Sequence, residues 1–137
     1  MDYKVMHVLI RCSKAFYHGE IRKQGWSDTE CMICSYLYSH LNASQGEIAD
    51  ALAIDKTTIS KSITALEKIG YLQRGKANDD RRRNEVQITA AGKQRIEALL
   101  KIYTAWLNRA CACFSKNELA SFESACLKFL QSVQENG

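Results

Sequence analysis

Three times along this chain a serine stands three residues ahead of a glutamate at the head of an apolar run: Ser27–Glu30, Ser44–Glu47 and Ser115–Glu118. In a capping box of this spacing the serine oxygen accepts from the glutamate's backbone N–H, and the glutamate carboxylate accepts from the serine's own N–H. Two of the donors that every helix start leaves unpaired are thereby satisfied locally. Three helix starts are marked before any tertiary contact is considered, and no proline occurs in the 137 residues to break the helices that follow. The first box predicts a helix from about Asp28 to Leu41, through Met32, Ile33, Tyr36 and Leu37. The second opens a short helix through Ile48, Ala49 and Leu52, and the third a helix through Leu119, Phe122, Leu127, Leu130 and Val133.

The remaining segments follow from periodicity and turn chemistry. Residues 3–23 carry Val5, Met6, Val8, Leu9, Cys12, Phe16 and Ile21 in a helical rhythm, with Gly25 in the following turn. Asp55 is placed to cap a helix whose apolar positions are Ile59, Ile63, Leu66 and Ile69, and Gly70 stands where a left-handed C-terminal residue belongs. Tyr71–Arg74 and Glu85–Ile88 are short and strand-like, and the polar turn-forming run Asn78–Arg83 between them predicts a β-hairpin with a basic, exposed tip. Thr89 can cap a long helix to about Phe114, with Ile96, Leu99, Leu100, Tyr103 and Leu107 on one stripe. The fold class is mainly α with a small β-hairpin, in one domain.

Charge is unevenly distributed. Residues 1–55 hold five Lys/Arg against seven Asp/Glu, a net −2, and residues 84–137 hold six against five, a net +1. Residues 56–83 hold eight against three, a net +5 in 28 residues. Such a concentration is the footprint expected of a surface that meets a polyanion. The helix at 56–69 keeps Lys56, Thr57, Thr58, Ser60, Lys61 and Thr64 largely off its apolar stripe, most of them toward its N-terminal half. In helix-turn-helix docking that end reaches base edges in the major groove. Arg81, Arg82 and Arg83 at the hairpin tip suit phosphates and a narrow minor groove, with Asp79 and Asp80 beside them to orient the guanidinium groups.

These segments together resemble the MarR family of winged helix-turn-helix regulators. The likeness runs through Ser44-Gln45-Gly46-Glu47-Ile48-Ala49-Asp50-Ala51-Leu52, Asp55-Lys56-Thr57-Thr58-Ile59-Ser60, Leu66-Glu67-Lys68-Ile69-Gly70-Tyr71-Leu72, Asp80-Arg81-Arg82 and Val86-Gln87-Ile88-Thr89-Ala90-Ala91-Gly92. The resemblance implies a winged helix-turn-helix with N- and C-terminal dimerisation helices: a lobe at 28–89 that binds double-stranded DNA, flanked by 1–24 and 90–137. It further implies a homodimer on a pseudo-palindromic operator, acting as a repressor relieved by an effector. A recognition helix would lie in each major groove and a wing arginine in the minor groove. The family's Asp-x-Arg wing pair falls on Asp80 and Arg82, and the adjacent Arg83 leaves open which arginine reaches deepest. The apolar length of 96–133, with Tyr103, Trp106, Phe114, Phe122 and Phe129, supports dimerisation independently.

The family also implies a small aromatic or anionic effector, for which His7, Arg11, Trp26 and Tyr36, with Tyr38, are candidates. Some relatives sense oxidants through a first-helix cysteine, which makes Cys12 a redox candidate between Arg11 and Lys14. The other cysteines, Cys31, Cys34, Cys111, Cys113 and Cys126, lie in apolar helical patterns and read as reduced, packed thiols. Cys31-x-x-Cys34 has half a zinc spacing but no second pair, so no metal and no cofactor are expected. The chain carries no glycine-rich phosphate loop, nucleophile elbow or His-Glu-x-x-His signature, so a binding protein and not an enzyme is expected. A winged-helix module that binds protein instead of DNA stays open. No apolar run approaches the roughly 18 residues of a membrane span, and a cytoplasmic location is expected.

Overall fold

A computed structural model describes residues 2–75 and 85–136. In chain order the elements are α1 (Tyr3–Lys23), α2 (Asp28–Ser39), β1 (Ala43–Ser44), α3 (Gln45–Leu52) and α4 (Lys56–Lys68). They are followed by β2 (Leu72–Arg74), β3 (Glu85–Ile88), α5 (Ala90–Ala110), a single 3-10 turn at Cys111–Cys113 and α6 (Lys116–Asn136). The chain divides into two compact units, residues 1–100 and 101–137.

All three capping boxes form as the spacing predicts. Ser27 accepts from Glu30 N at 3.1 Å, Ser44 from Glu47 N at 3.1 Å and Ser115 from Glu118 N at 3.2 Å. Each glutamate carboxylate accepts in return from its serine's N–H. Two expected helix ends move inward. The second helix stops at Ser39, where His40 leaves the helical region at φ −126°, ψ 107°. The fifth stops at Ala110, where the chain tightens into the 3-10 turn before Phe114 becomes extended.

The first unit is built on a core of Ile21, Trp26, Cys31, Ile33, Cys34, Leu37, Ile48, Ile59, Ile63, Leu66, Leu72, Val86, Ile88, Ile96 and Leu99, with Ala43 and Ala49. Two expectations for core residues are corrected here. On α2 Met32, expected in the apolar run, is exposed, while Ile33 and Leu37 turn inward together with Cys31 and Cys34, the thiols read from sequence as packed. The cysteines are the smaller groups, and they fit where α2 lies against its neighbours. Ile69, expected on the buried stripe of α4, is the C-cap residue and 57% exposed, because the helix axis no longer carries it over the core.

The sheet has three strands in the order β1-β3-β2, all antiparallel. The hairpin pairs Leu72 with Ile88, Gln73 with Gln87 and Arg74 with Val86. Alternation therefore sends Leu72, Val86 and Ile88 inward and leaves Gln73 and Gln87 on the opposite face, where Gln73 Nε2 donates to Gln87 Oε1 at 3.2 Å. The two-residue strand β1 was not foreseen; it pairs Ala43 with Val86 and Ser44 with Glu85, so β3 is the central strand.

Gly70 takes the left-handed conformation the sequence assigned it, at φ 82°, and Gly25, expected only in the turn after α1, takes it too at φ 77°. Ala53 does the same at φ 53°, closing α3 with a residue that gains nothing from that region. Gly92 answers to a different constraint. A Cβ there would lie 2.4 Å from Tyr71 O and 2.7 Å from Ile88 Cγ1, so only a glycine lets the start of α5 approach the hairpin this closely.

The second unit, 101–137, contains the end of α5, the 3-10 turn and α6. Within it Tyr103 lies against Trp106 at 5.6 Å, and Phe114 stacks on Phe122 at 5.4 Å. No helix among the described residues is long and apolar enough to cross a membrane.

Candidate nucleic-acid interface

Helix α4 is fixed from both sides. Asp55 caps it, accepting from Thr58 N at 2.8 Å and from Thr58 Oγ1 at 2.6 Å. These bonds, the hydroxyl's foremost, hold the Asp55 carboxyl below its ordinary range. On the opposite face Ile59, Ile63 and Leu66 are completely buried. The cap sets the first turn and the stripe sets the rotation, and together they present Lys56, Thr57 and Lys61 to solvent. Among the described residues no hydrogen bond or ion pair engages their side chains, while the Thr57 backbone N–H adds to the bonds on the Asp55 carboxylate.

The other expected contacts of α4 are less available. Thr58 is half-buried, and its hydroxyl is committed to Asp55. Thr64 is exposed but donates to Ser60 O at 3.0 Å, and Ser60 itself is half-buried. Asp80, Arg81, Arg82 and Arg83 lie outside the described residues.

The hairpin stem is joined to the helices by groups that the sequence reading passed over. Arg74, the last residue of β2, donates from Nε to Glu67 Oε1 of α4 at 2.8 Å. With the Gln45 carboxamide turned oxygen-first, that oxygen accepts from Arg74 Nη1 at 2.7 Å and Nη2 at 2.9 Å. Arg74 therefore counts toward the basic segment in sequence but is paired in space. At the other end of the stem, Thr89 Oγ1 donates to Gly70 O at 2.6 Å and accepts from Gly92 N at 3.2 Å, while Thr89 N donates to Tyr71 O at 3.0 Å. One threonine ties the end of α4, the start of β2 and the first turn of α5. Sequence reading expected only its helix-capping role.

The effector candidates occupy different settings. His7 and Arg11 are exposed on α1, His7 stacked on Tyr3 at 5.6 Å. Trp26 is a core residue, 8% exposed and tilted against Tyr71 at 5.6 Å. Tyr36 is half-buried and stacks on His40 at 4.1 Å, and the Tyr38 hydroxyl donates to Glu97 Oε1 at 3.2 Å. Cys12 is exposed on α1. Cys31 and Cys34 are buried free thiols, Cys31 Sγ lying 3.2 Å from Tyr17 Oη. Burial pushes both thiols up, Cys34 to about 12, so they behave as apolar core groups and not as nucleophiles. Among the described residues no three His, Cys, Asp or Glu side chains cluster as a metal site would require.

Residues 29–109 match the family of winged helix DNA-binding domains. The HTH-type transcriptional regulator PapX of Escherichia coli is 29% identical over 87 residues, which are 64% of this chain and 53% of PapX. The HTH-type transcriptional regulator BilQ of Clostridioides difficile is 24% identical over 83 residues, 61% of this chain and 56% of BilQ. The chain thus spans about half the length of the curated relatives it matches. Among solved structures, a MarR family protein from Bacillus stearothermophilus has a TM-score of 0.87 at 16% identity, over 96% of this chain and 91% of that one. MepR, a transcription regulator of the Staphylococcus aureus multidrug efflux pump MepA, has a TM-score of 0.79 at 21% identity, over 97% and 99%. A mutant MepR bound to an oligodeoxyribonucleotide has a TM-score of 0.70 at 23% identity, over 97% and 99%. The matched family is that of winged helix DNA-binding domains, and PapX, BilQ and MepR are transcriptional regulators. With more than half its length in that match and the arrangement of helices and hairpin shared with these regulators, the chain belongs to the winged helix DNA-binding domains and has the MarR fold.

Proposed function

We propose that this chain is one subunit of a homodimeric transcriptional regulator that reads a pseudo-palindromic DNA duplex. The observation that carries the reading is the presentation of α4: Lys56, Thr57 and Lys61 stand exposed in its N-terminal half, while Ile59, Ile63 and Leu66 lock the reverse face. This is the half of a recognition helix that meets base edges. The oligonucleotide-bound MepR structure, which shares the fold, supports DNA as the partner. Ser60, Thr58 and Thr64 complete the helix surface, and Asp80, Arg81, Arg82 and Arg83, which lie outside the described residues, are assigned to the minor groove.

Dimerisation is supported by the apolar side chains that α1 and α6 leave exposed. Val5, Val8 and Leu9 stand out from α1, and Leu127, Phe129, Leu130 and Val133 from α6. Large exposed apolar surfaces mark association sites, and a two-fold copy is the commonest partner. Residues 1–24 and 90–137 are assigned to that contact and 28–89 to DNA. The regulator acts as a repressor, relieved when a small aromatic or anionic effector engages the region of His7, Arg11, Trp26 and Tyr36. This part of the reading rests on the family resemblance.

Selection of duplexes from a random pool by the purified protein, followed by affinity against salt concentration, tests the reading. The expected result is an enriched pseudo-palindrome with half-sites about one helical turn apart, and binding that weakens steeply with salt. Absence of enrichment would overturn sequence-specific recognition. Release of DNA by peroxide from the wild type but not from Cys12→Ser would assign the sensing to Cys12 in place of a ligand.

A further inference from the structure

Arg74 sits among the cations of the DNA-binding segment, yet its geometry is not that of a phosphate contact. Register places it on the same side of the hairpin as Leu72, opposite the fully buried Val86, and away from the face that carries Gln73 and Gln87. Its Nε faces Glu67 Oε1 at 2.8 Å, and with the Gln45 carboxamide turned oxygen-first both terminal nitrogens face that oxygen, so all three nitrogens of its guanidinium have acceptors within the protein. These acceptors belong to different elements. Gln45 is the first residue of α3, Glu67 lies in the last turn of α4, and Arg74 ends β2. One planar fork thus joins both helices of the helix-turn-helix to the stem of the wing. A guanidinium suits this task because its donors have fixed directions and hold two partners at set angles, which a lysine ammonium does not.

We infer that Arg74 is a positioning residue for DNA recognition: with Glu67 and Gln45 it sets the angle of the wing against the recognition helix, so that both engage one duplex at the same time. The inference rests on the DNA-binding reading above and adds to it a residue whose charge does not face the duplex. It also predicts how the wing and Arg74 depend on each other. A wing released from the helices no longer delivers Arg81, Arg82 and Arg83 together, so removing Arg74 reproduces the loss of the tip. Once the tip is gone, Arg74 has nothing left to position.

The experiment is a double-mutant cycle on the duplex selected by the wild type, with affinity measured against salt for Arg74→Met, for the Arg81→Ala/Arg82→Ala/Arg83→Ala triple and for the two combined. The expected result is that Arg74→Met flattens the slope of log affinity against log salt by as much as the triple does, roughly two to three phosphate contacts' worth, and that the combination is no weaker than the triple alone. Glu67→Arg with Arg74→Glu reverses the ion pair while the Gln45 carboxamide turns its NH2 toward the new carboxylate. This exchange should recover at least part of the lost slope, which also answers any concern that Arg74→Met fails to fold. A direct phosphate contact predicts otherwise: a slope lowered by about one, a further loss when Arg74→Met is added to the triple, and no recovery on exchange. That pattern, or wild-type binding by Arg74→Met, would overturn the positioning role while leaving DNA recognition intact. A triple variant that binds as the wild type does would remove the wing from recognition and the Arg74 inference with it.

Discussion

Gly92 and Cys34 show how tightly single positions are specified. At Gly92 the obstruction to any Cβ is the Tyr71 carbonyl together with the Ile88 side chain, and backbone cannot rotate away. Gly92→Ala gains about 0.4–1 kcal/mol from a stiffer unfolded chain, yet overpacking costs about 1–3 kcal/mol. The expected outcome is net destabilisation in urea unfolding, with a wing stem displaced from α5. Cys34 has no exposed surface, and its thiol is pushed from an ordinary value near 9 to about 12 by burial first, then by the neighbouring Cys31 and Glu30. Because the folded value is the higher one, the protonated thiol contributes stability that is fully present below pH 9. That stability is lost as the unfolded chain releases its proton and pH climbs toward 12. Stability should fall there by up to about 1.4 kcal/mol per pH unit, and Cys34→Ala should flatten the decline measured by denaturant titration at successive pH values. An unchanged slope in that variant would show that the thiol does not carry the effect.

At the scale of elements, the recognition helix depends on its cap more than on its composition. Thr57, Thr58, Ile59, Ser60, Ile63 and Thr64 make a helix of middling propensity, and the Asp55–Thr58 bonds give it a defined first turn. Asp55→Ala should lower both stability and DNA affinity, since Lys56 and Thr57 lose the turn that orients them, while Asp55→Ser keeps the cap and most of both. The lowered carboxyl pKa adds a pH signature. Its stabilising effect is complete above the ordinary value of 3.8 and disappears as pH falls through the lower folded value, so Asp55→Ala should blunt the acid limb of the unfolding profile. Helix starts of this kind were legible in sequence because a capping box needs only residues within four of one another. The strand β1 was not, since Ala43 and Ser44 become a strand only by pairing with Val86 and Glu85, some forty residues away. The exposure of Met32 on α2 was missed for a related reason. Met32 and Cys31 are both acceptable core residues, and the choice between them belongs to the surfaces that α2 meets.

For the molecule as a whole, α6 is the element that asks most clearly for a partner. Leu127 is 68% exposed, and Phe129, Leu130 and Val133 are all more than half exposed. If a second copy covers this helix, Leu127→Glu with Leu130→Glu should convert the protein from dimer to monomer in sedimentation equilibrium. It should also weaken operator binding far more than nonspecific DNA binding, because two half-sites need two linked recognition helices. Equal sedimentation of variant and wild type would exclude α6 from the interface. The charge of the whole chain behaves similarly: the net +5 of 56–83 suggests a polyanion partner from sequence, but its composition is a spatial matter. Arg74 and Glu67 neutralise one another at 2.8 Å, which leaves Lys56, Lys61 and Lys68 as cations of the described α4 surface that meet no acid there.

By itself the sequence determined where helices begin, that Gly70 takes a left-handed turn, where the hairpin strands lie and which helix carries the polar surface suited to DNA. These are short-range matters of caps, periodicity and glycine, in which cause and effect sit within one or two turns of chain. The tertiary structure alone decided the rest: that β3 is a central strand, that Met32 and Ile69 face solvent, that Trp26 packs on Tyr71, and that Arg74 faces Gln45 and Glu67. Each of these depends on a group distant in sequence and near in space. Whether a charge is a contact or a brace, and whether an apolar residue is core or surface, is set by the neighbour that packing brings to it.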